Sequence, residues 1–147
     1  MNWLQEITNN KSLYSKLVLF LTSYGVLGLE QALKLYTDMQ QTYICSTKRS
    51  TSKIPISEIY YIDILGHNIT IHTASGDYQK YGTLNKELKA LSDYNFIKCN
   101  QSCIVALSKI ESINYDQIIL KNKTAIHMSR NCAPKVIMAF HDVSNKR

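Results

Sequence analysis

The sequence predicts a mainly β protein with helices (α+β). Antiparallel β-sheets carry one inserted helix and a C-terminal helix, behind a short N-terminal helical segment. Three observations carry this expectation. Apolar residues recur at helical spacing through the first 41 residues. From Thr42 onward short β-like runs alternate with turn signals. Within that second part, only the stretches around Leu84 and Pro134 return to helical spacing. The 147 residues, 45% of them hydrophobic, suffice for one ordinary domain and a small extra element around a packed core. The division is placed between residues 1–41 and 42–147.

In the first part, Leu13, Leu17, Phe20, Leu21 and Tyr24 share one helix face. Leu29, Leu33, Tyr36 and Met39 form a second stripe after Gly25 and Gly28 interrupt, and Trp3, Leu4 and Ile7 add a turn in front. The longest apolar run, "LVLFLTSYGVLGL", has 13 residues, whereas a bilayer-crossing helix takes roughly 20. It is read as a buried helix and a turn, with no membrane span. Forty residues bury little alone, so these stripes must pack on each other, on the rest of the chain or on another subunit.

"TYICS" then has strand composition, "TKRSTSK" reads as a basic turn, and "IPISEIYYIDI" resumes as a strand in which Pro55 implies an edge or entry position. "LGHN" is a turn. "ITIHT" alternates, with Ile69, Ile71 and Thr73 opposite Thr70 and His72. After the turn "ASGD" and the strand "YQKYG" comes a helix, "TLNKELKALSDY", with Leu84, Leu88 and Leu91 inward and Thr83 as N-cap. "FIKC" and "CIVAL" flank a polar centre, "IESIN" and "QIILKNKTAIHMS" add strands with "KNKT" as a hairpin turn, and a helix starting near Ser129 closes the chain. Pro134 near its first turn is tolerated there, and Ala133, Val136, Ile137 and Phe140 form its apolar side.

Net charge is +6 and unevenly held. Residues 1–47 balance three lysines against three acids, whereas residues 48–147 carry 14 Lys/Arg against 8 Asp/Glu and all four histidines. The basic part is a candidate for a polyanion partner. Polar side chains cluster at three of its turns: His67-Asn68, Asn100-Gln101-Ser102 and Ser129-Arg130-Asn131. Arginine can fork onto guanine and asparagine or glutamine onto adenine, while lysines 48, 53, 80, 86, 98, 121 and 123 suit phosphates. Turns are also polar for conformational reasons alone, so the clusters by themselves leave both readings open.

Enzyme chemistry finds little purchase. No Gly-rich phosphate loop, paired carboxylates or nucleophile elbow stands out. Cys99-x-x-x-Cys103 with Cys132 is a single loose pair, a poor zinc pattern. Cys99 beside Lys98 could be a modestly activated thiol, but both cysteines suit a core. No secretory signal is visible, so a reducing cytoplasm is the expected compartment.

The run "IPISEIYYIDILGHNITIHTASGDYQKYGTLNKELKALSDYNFIKCNQSCIVALSKIESI", followed by "IILKNKTAIHMSRNCAPKV", resembles a LytTR DNA-binding domain of bacterial transcription regulators. The resemblance covers about residues 42–140. It rests on the ordered series of strand, turn, alternating strand, "TLNKEL" helix, a segment like the family's "F-R-H-S-VN" and a final "S-R". It implies elongated β-sheets that bind double-stranded DNA through loops, in successive major grooves and the minor groove between them. Carried over by position, His67 and Arg130 match base-contacting residues, and Gln101 falls in the central loop where Asn or Arg is frequent. Lys98 stands where Arg is usual, Ser102 matches a loop serine, and Asn100, Ser129 and Asn131 take backbone or supporting places.

Two departures alter expectations. Asn68 stands where some relatives have a basic, phosphate-contacting residue, and Ala106 replaces the Asn of "VN". Residues 1–41 are too short for a receiver domain, so a stand-alone regulator is expected. The resemblance further implies a homodimer on paired direct repeats, with residues 1–41 serving dimerisation or a regulatory protein partner, and no cofactor. Two alternatives remain: a protein- or small-signal-binding module, and a regulator switched at Cys99, where some relatives also carry cysteine.

Overall fold

The structure, a computed structural model, describes residues 2–145. It divides into two compact units, one ending at Gln40 and the other starting at Gln41.

The first unit is helical. Helix α1 (Trp3–Asn9) is capped by the Asn2 side chain, which accepts from the Gln5 amide at 3.2 Å. Helix α2 (Lys11–Gln40) begins where Asn10 Oδ1 accepts from the Leu13 amide at 3.0 Å. Only Gly25, at φ 72° and ψ −173°, leaves helical geometry, a conformation that a side chain would strain. The sequence reading placed an interruption at Gly25 and Gly28 and a buried helix over Leu17–Leu29. The structure breaks the helix at Gly25 and resumes it through Gly28, but leaves no buried residue among the described ones of this unit. Trp3, Leu19, Tyr24, Val26, Leu27, Leu35 and Tyr36 are all exposed. Lys11–Thr37 has the length and composition of a membrane-crossing helix. However, the break at Gly25 leaves residues 11–24 and 26–40, each about 21–23 Å long, short of a hydrocarbon core of about 30 Å.

The second unit is built from ten strands, all paired antiparallel. Strands β1 (Thr42–Ser46) and β2 (Thr51–Pro55) form a hairpin. The expected continuous strand over Ile54–Ile64 is split. Pro55 ends β2, a 3-10 turn covers Ile56–Glu58, and β3 (Ile59–Leu65) starts afresh. The central sheet contains β3, β4 (Asn68–Thr73), β5 (Gly76–Tyr81), β6 (Phe96–Asn100) and β7 (Cys103–Ala106), in the order β5-β4-β3-β7-β6. A third sheet has the order β10-β9-β8, from β8 (Ile110–Asn114), β9 (Gln117–Leu120) and β10 (Ala125–His127). Helix α3 (Leu84–Leu91) is capped by Thr83, whose hydroxyl accepts from the Lys86 amide. Helix α4 (Ala133–Asn145) begins four residues after Ser129 rather than at it.

Two cores lie on opposite faces of the central sheet. One joins Tyr43, Ile54, Ile62, Ile69, Ile71, Leu84, Leu91 and Ile104, so it binds the hairpin and α3 to the sheet. The other joins Cys99, Cys103, Val105, Ile118, Leu120, Ile126 and Val136, so it binds the third sheet and α4. Strand β7 serves both, with Ile104 and Ala106 in the first core and Cys103 and Val105 in the second, and all four residues are buried. Burial on both faces explains why "CIVA" shows no alternation.

One ion sits inside this packing. Glu87 on α3 is 3% exposed and meets Lys80 Nζ of β5 at 2.9 Å, and it also accepts the Tyr43 hydroxyl of β1. Lys80 lies 5.5 Å above the Tyr43 ring. Burial, and then the Glu87 carboxylate, push the Tyr43 phenol above its ordinary pKa, so it remains a donor. The three groups tie the hairpin, the sheet edge and α3 together. Tyr43→Phe removes a hydrogen bond to a buried carboxylate and is expected to lower unfolding free energy by about 1.5–3 kcal/mol in urea titration.

Candidate nucleic-acid interface

The central turn is held from three directions. Strands β6 and β7 pair Asn100 with Cys103, leaving Gln101 and Ser102 exposed at the tip. The register shifts between Lys98 and Asn100, which makes Cys99 the extra residue of a bulge. The Ser102 carbonyl accepts from the Ile64 amide at 2.9 Å, and the Cys99 carbonyl accepts from the Ser129 amide at 3.0 Å. Asn100 completes the anchor. Its Nδ2 donates to the His127 carbonyl at 2.7 Å, while its Oδ1 accepts from the Ser102 amide at 2.8 Å. The turn is thereby fastened to β3 and β10 at once.

The β3–β4 turn is a two-residue hairpin, Gly66-His67, closed by pairing of Leu65 with Asn68. Gly66 has φ 65°, as the first central position of a type II′ turn requires. The His67 carbonyl accepts from the Gly82 amide at 3.0 Å, so the backbone under this exposed histidine is fixed. The third turn follows β10. Ser129 caps the entry to α4: its carbonyl accepts from the Cys132 and Ala133 amides at 3.2 and 2.9 Å, and its hydroxyl lies 3.3 Å from the Cys132 amide. Arg130 and Asn131 are exposed on that turn.

Between the central sheet and β10 lies a groove of about 1010 Å³. Its walls include Leu65, Asn68, Thr70, Gln79, Asn100, Gln101, Ser102, His127 and Ser129. Five of the ten residues singled out in the sequence, Asn68, Asn100, Gln101, Ser102 and Ser129, therefore surround one space. His67 and Arg130 each adjoin a wall residue in the chain, and Asn131 follows on the same turn as Arg130. Lys98 is half-buried on β6. Thr70, Gln79, Leu65 and His127 were missed in the sequence. Thr70 and Gln79 face each other in the β4–β5 register, and that pairing is what brings both to the groove. Asp63, also in the wall, meets His72, whose Nε2 lies 3.0 Å away. His72 Nδ1 lies 3.2 Å from Asp77, and its ring stacks on Tyr61 at 4.0 Å.

Cys99 and Cys103 are buried behind the turn. A hydrogen bond with the Cys103 thiol holds Cys99 below the usual thiol pKa, while the same bond and burial push Cys103 up. Among the described residues, no group of three or more His, Cys, Asp or Glu side chains is placed to hold a metal ion.

The family model of the LytTr DNA-binding domain matches residues 49–141. The chain belongs to this family. Its structure is also similar to the LytTr DNA-binding domain of a methyl-accepting/DNA response regulator from Bacillus cereus. That similarity has a TM-score of 0.60 at 17% identity and covers 68% of this chain and 96% of that one, a likeness of fold. No curated protein matches the chain. The LytTr match includes all three turns and both faces of the central sheet. It begins at Arg49, inside the β1–β2 turn, so β1 precedes it.

Asn100→Ala removes both side-chain bonds that fasten the central turn. It is expected to speed hydrogen exchange at the Ser102 amide and to cost about 1–2 kcal/mol of stability, with the β4–β5 amides unchanged.

Proposed function

We propose that this LytTr protein is a cytoplasmic, sequence-specific regulator of transcription. It reads double-stranded DNA through its turns, needs no cofactor and makes no covalent bond. The observation that carries this reading is the convergence of exposed, hydrogen-bonding turns around one groove within the basic unit. Each turn is held by backbone hydrogen bonds, so its side chains meet DNA with little ordering cost. His67 and Arg130 would reach base edges in successive major grooves, where Arg130 can fork onto guanine. Gln101, on the turn between them, would face the intervening minor groove. Lys98, Asn100, Ser102, Ser129, Asn131 and Asn68 would fix register on the backbone or support the turns.

Selection of one enriched sequence from a random duplex pool by the purified protein tests the reading. On that sequence, log K should fall with log salt at about −0.9 per phosphate neutralised. A flat salt response would overturn the proposal. Arg130→Ala should cost about 1–3 kcal/mol and relax preference at one base position. Equal weakening on all sequences would instead place Arg130 on a phosphate.

The exposed apolar sides of α1 and α2 support a further part of the proposal, that residues 1–40 join two copies on paired direct repeats. A fragment starting at Gln41 is expected to stay folded and bind a single site, while sedimentation shows loss of the dimer. A fragment that dimerises as before would place self-association elsewhere.

A further inference from the structure

A second, smaller groove of about 690 Å³ lies on the hairpin side of the sheet edge. One wall is the β1–β2 turn, Ser46 to Arg49, and the other is Asn68 with Gln79, Lys80 and Tyr81. Asn68 and Gln79 also line the larger groove, so the two grooves meet along β4 and β5.

The turn is ordered by its own bonds. The Thr47 amide donates to the Ser50 carbonyl at 2.8 Å, and the Thr47 hydroxyl accepts from the Arg49 and Ser50 amides at 3.2 and 3.1 Å. The hairpin beneath it is tied to β5 and α3 by Tyr43, Lys80 and Glu87, and Cys45 Sγ donates to the Gln79 carbonyl at 3.8 Å.

Among the described residues, no carboxylate lines this groove. The charge of Lys80 is met by Glu87, whereas Lys48 and Arg49 have no acidic partner among the described residues. Two uncompensated cations, hydroxyls at Ser46, Thr47 and Tyr81, and uncharged Asn68 opposite make a site for a negatively charged oxygen group.

We infer that the β1–β2 turn is a second DNA contact. Lys48 and Arg49 hold a phosphodiester of the same duplex, flanking the base pairs that the His67 turn reads. This inference rests on the DNA-binding reading above and extends its footprint to a turn whose tip lies at the very start of the family match. Held on a phosphodiester, the pair contributes register and affinity and not base preference.

The test compares the full chain with the double variant Lys48→Gln/Arg49→Gln, on the selected duplex and on random duplex, across a salt series. Both residues are exposed, and an unchanged thermal midpoint verifies the fold. Per copy bound, the variant should show a log–log salt slope shallower by about 1.8, a loss on the order of 30-fold at 0.15 M salt, and the same loss on both duplexes. Hydroxyl-radical footprinting should lose backbone protection at the same one end of each repeat. The charge-conserving variant Lys48→Arg/Arg49→Lys should keep the original slope. Wild-type binding with an unchanged slope and footprint in the Gln variant overturns the inference alone. Wild-type protein with no salt-dependent duplex binding overturns the DNA reading and this inference with it. Loss on the selected duplex only would make the pair a base-reading element and overturn the phosphate assignment.

Discussion

Strand β7 is the constraint on which the second unit depends. A strand buried on both faces must find apolar neighbours above and below, and "CIVA" does so with Ile104 and Ala106 on one side and Cys103 and Val105 on the other. Neither side layer could stand alone. A two-stranded hairpin is marginal in water, and so is a small three-stranded sheet without a covered face. The central sheet supplies each with its missing partner. The polar Gln101-Ser102 tip can project because the residues beside it are sealed into a core. Cys99 and Cys103 are the buried residues behind that tip.

The same sheet sets the positions of the turns. The central turn is fastened to β3 and β10, the His67 turn to Gly82 before α3, and the last turn to β6 through the Ser129 amide. Three segments far apart in sequence become parts of one edge because backbone hydrogen bonds join them. Such anchoring lowers the cost of any contact the turns make, since every side chain left free in solution must be ordered on binding.

Charge follows the architecture. Among the described residues, Glu87 is the one buried acid; it takes up Lys80 and anchors the hairpin, while Asp63 contacts His72. Several cations at the turns keep no such partner. The charges of Lys48 and Arg49 beside the smaller groove thus remain available to a partner. Residues 1–40 carry three lysines and three acids, so their net charge is zero.

Local chemistry made much of this legible in advance. Alternation in "ITIHT" identified Ile69 and Ile71 as core, Thr83 declared the start of α3, and glycine in "LGHN" marked the turn that carries His67. The ordered series of such signals also pointed to the LytTr family. Local signals misled where a longer-range term prevailed. "IPISEIYYIDI" reads as one strand, but Pro55 ends β2 and the chain must step from hairpin to central sheet. "LVLFLTSYGVLGL" reads as buried, yet its cover is absent from the single chain. The amino-acid sequence by itself determined which residues are apolar, which turns can form and where the charge lies, because these follow from side-chain chemistry and short-range backbone preference. Only the tertiary structure decided that Asn100 clamps β10, that Glu87 rather than a surface acid meets Lys80, and that Asn68 and Gln79 join two grooves. Those outcomes depend on strand order and register, which bring together residues that no local pattern relates.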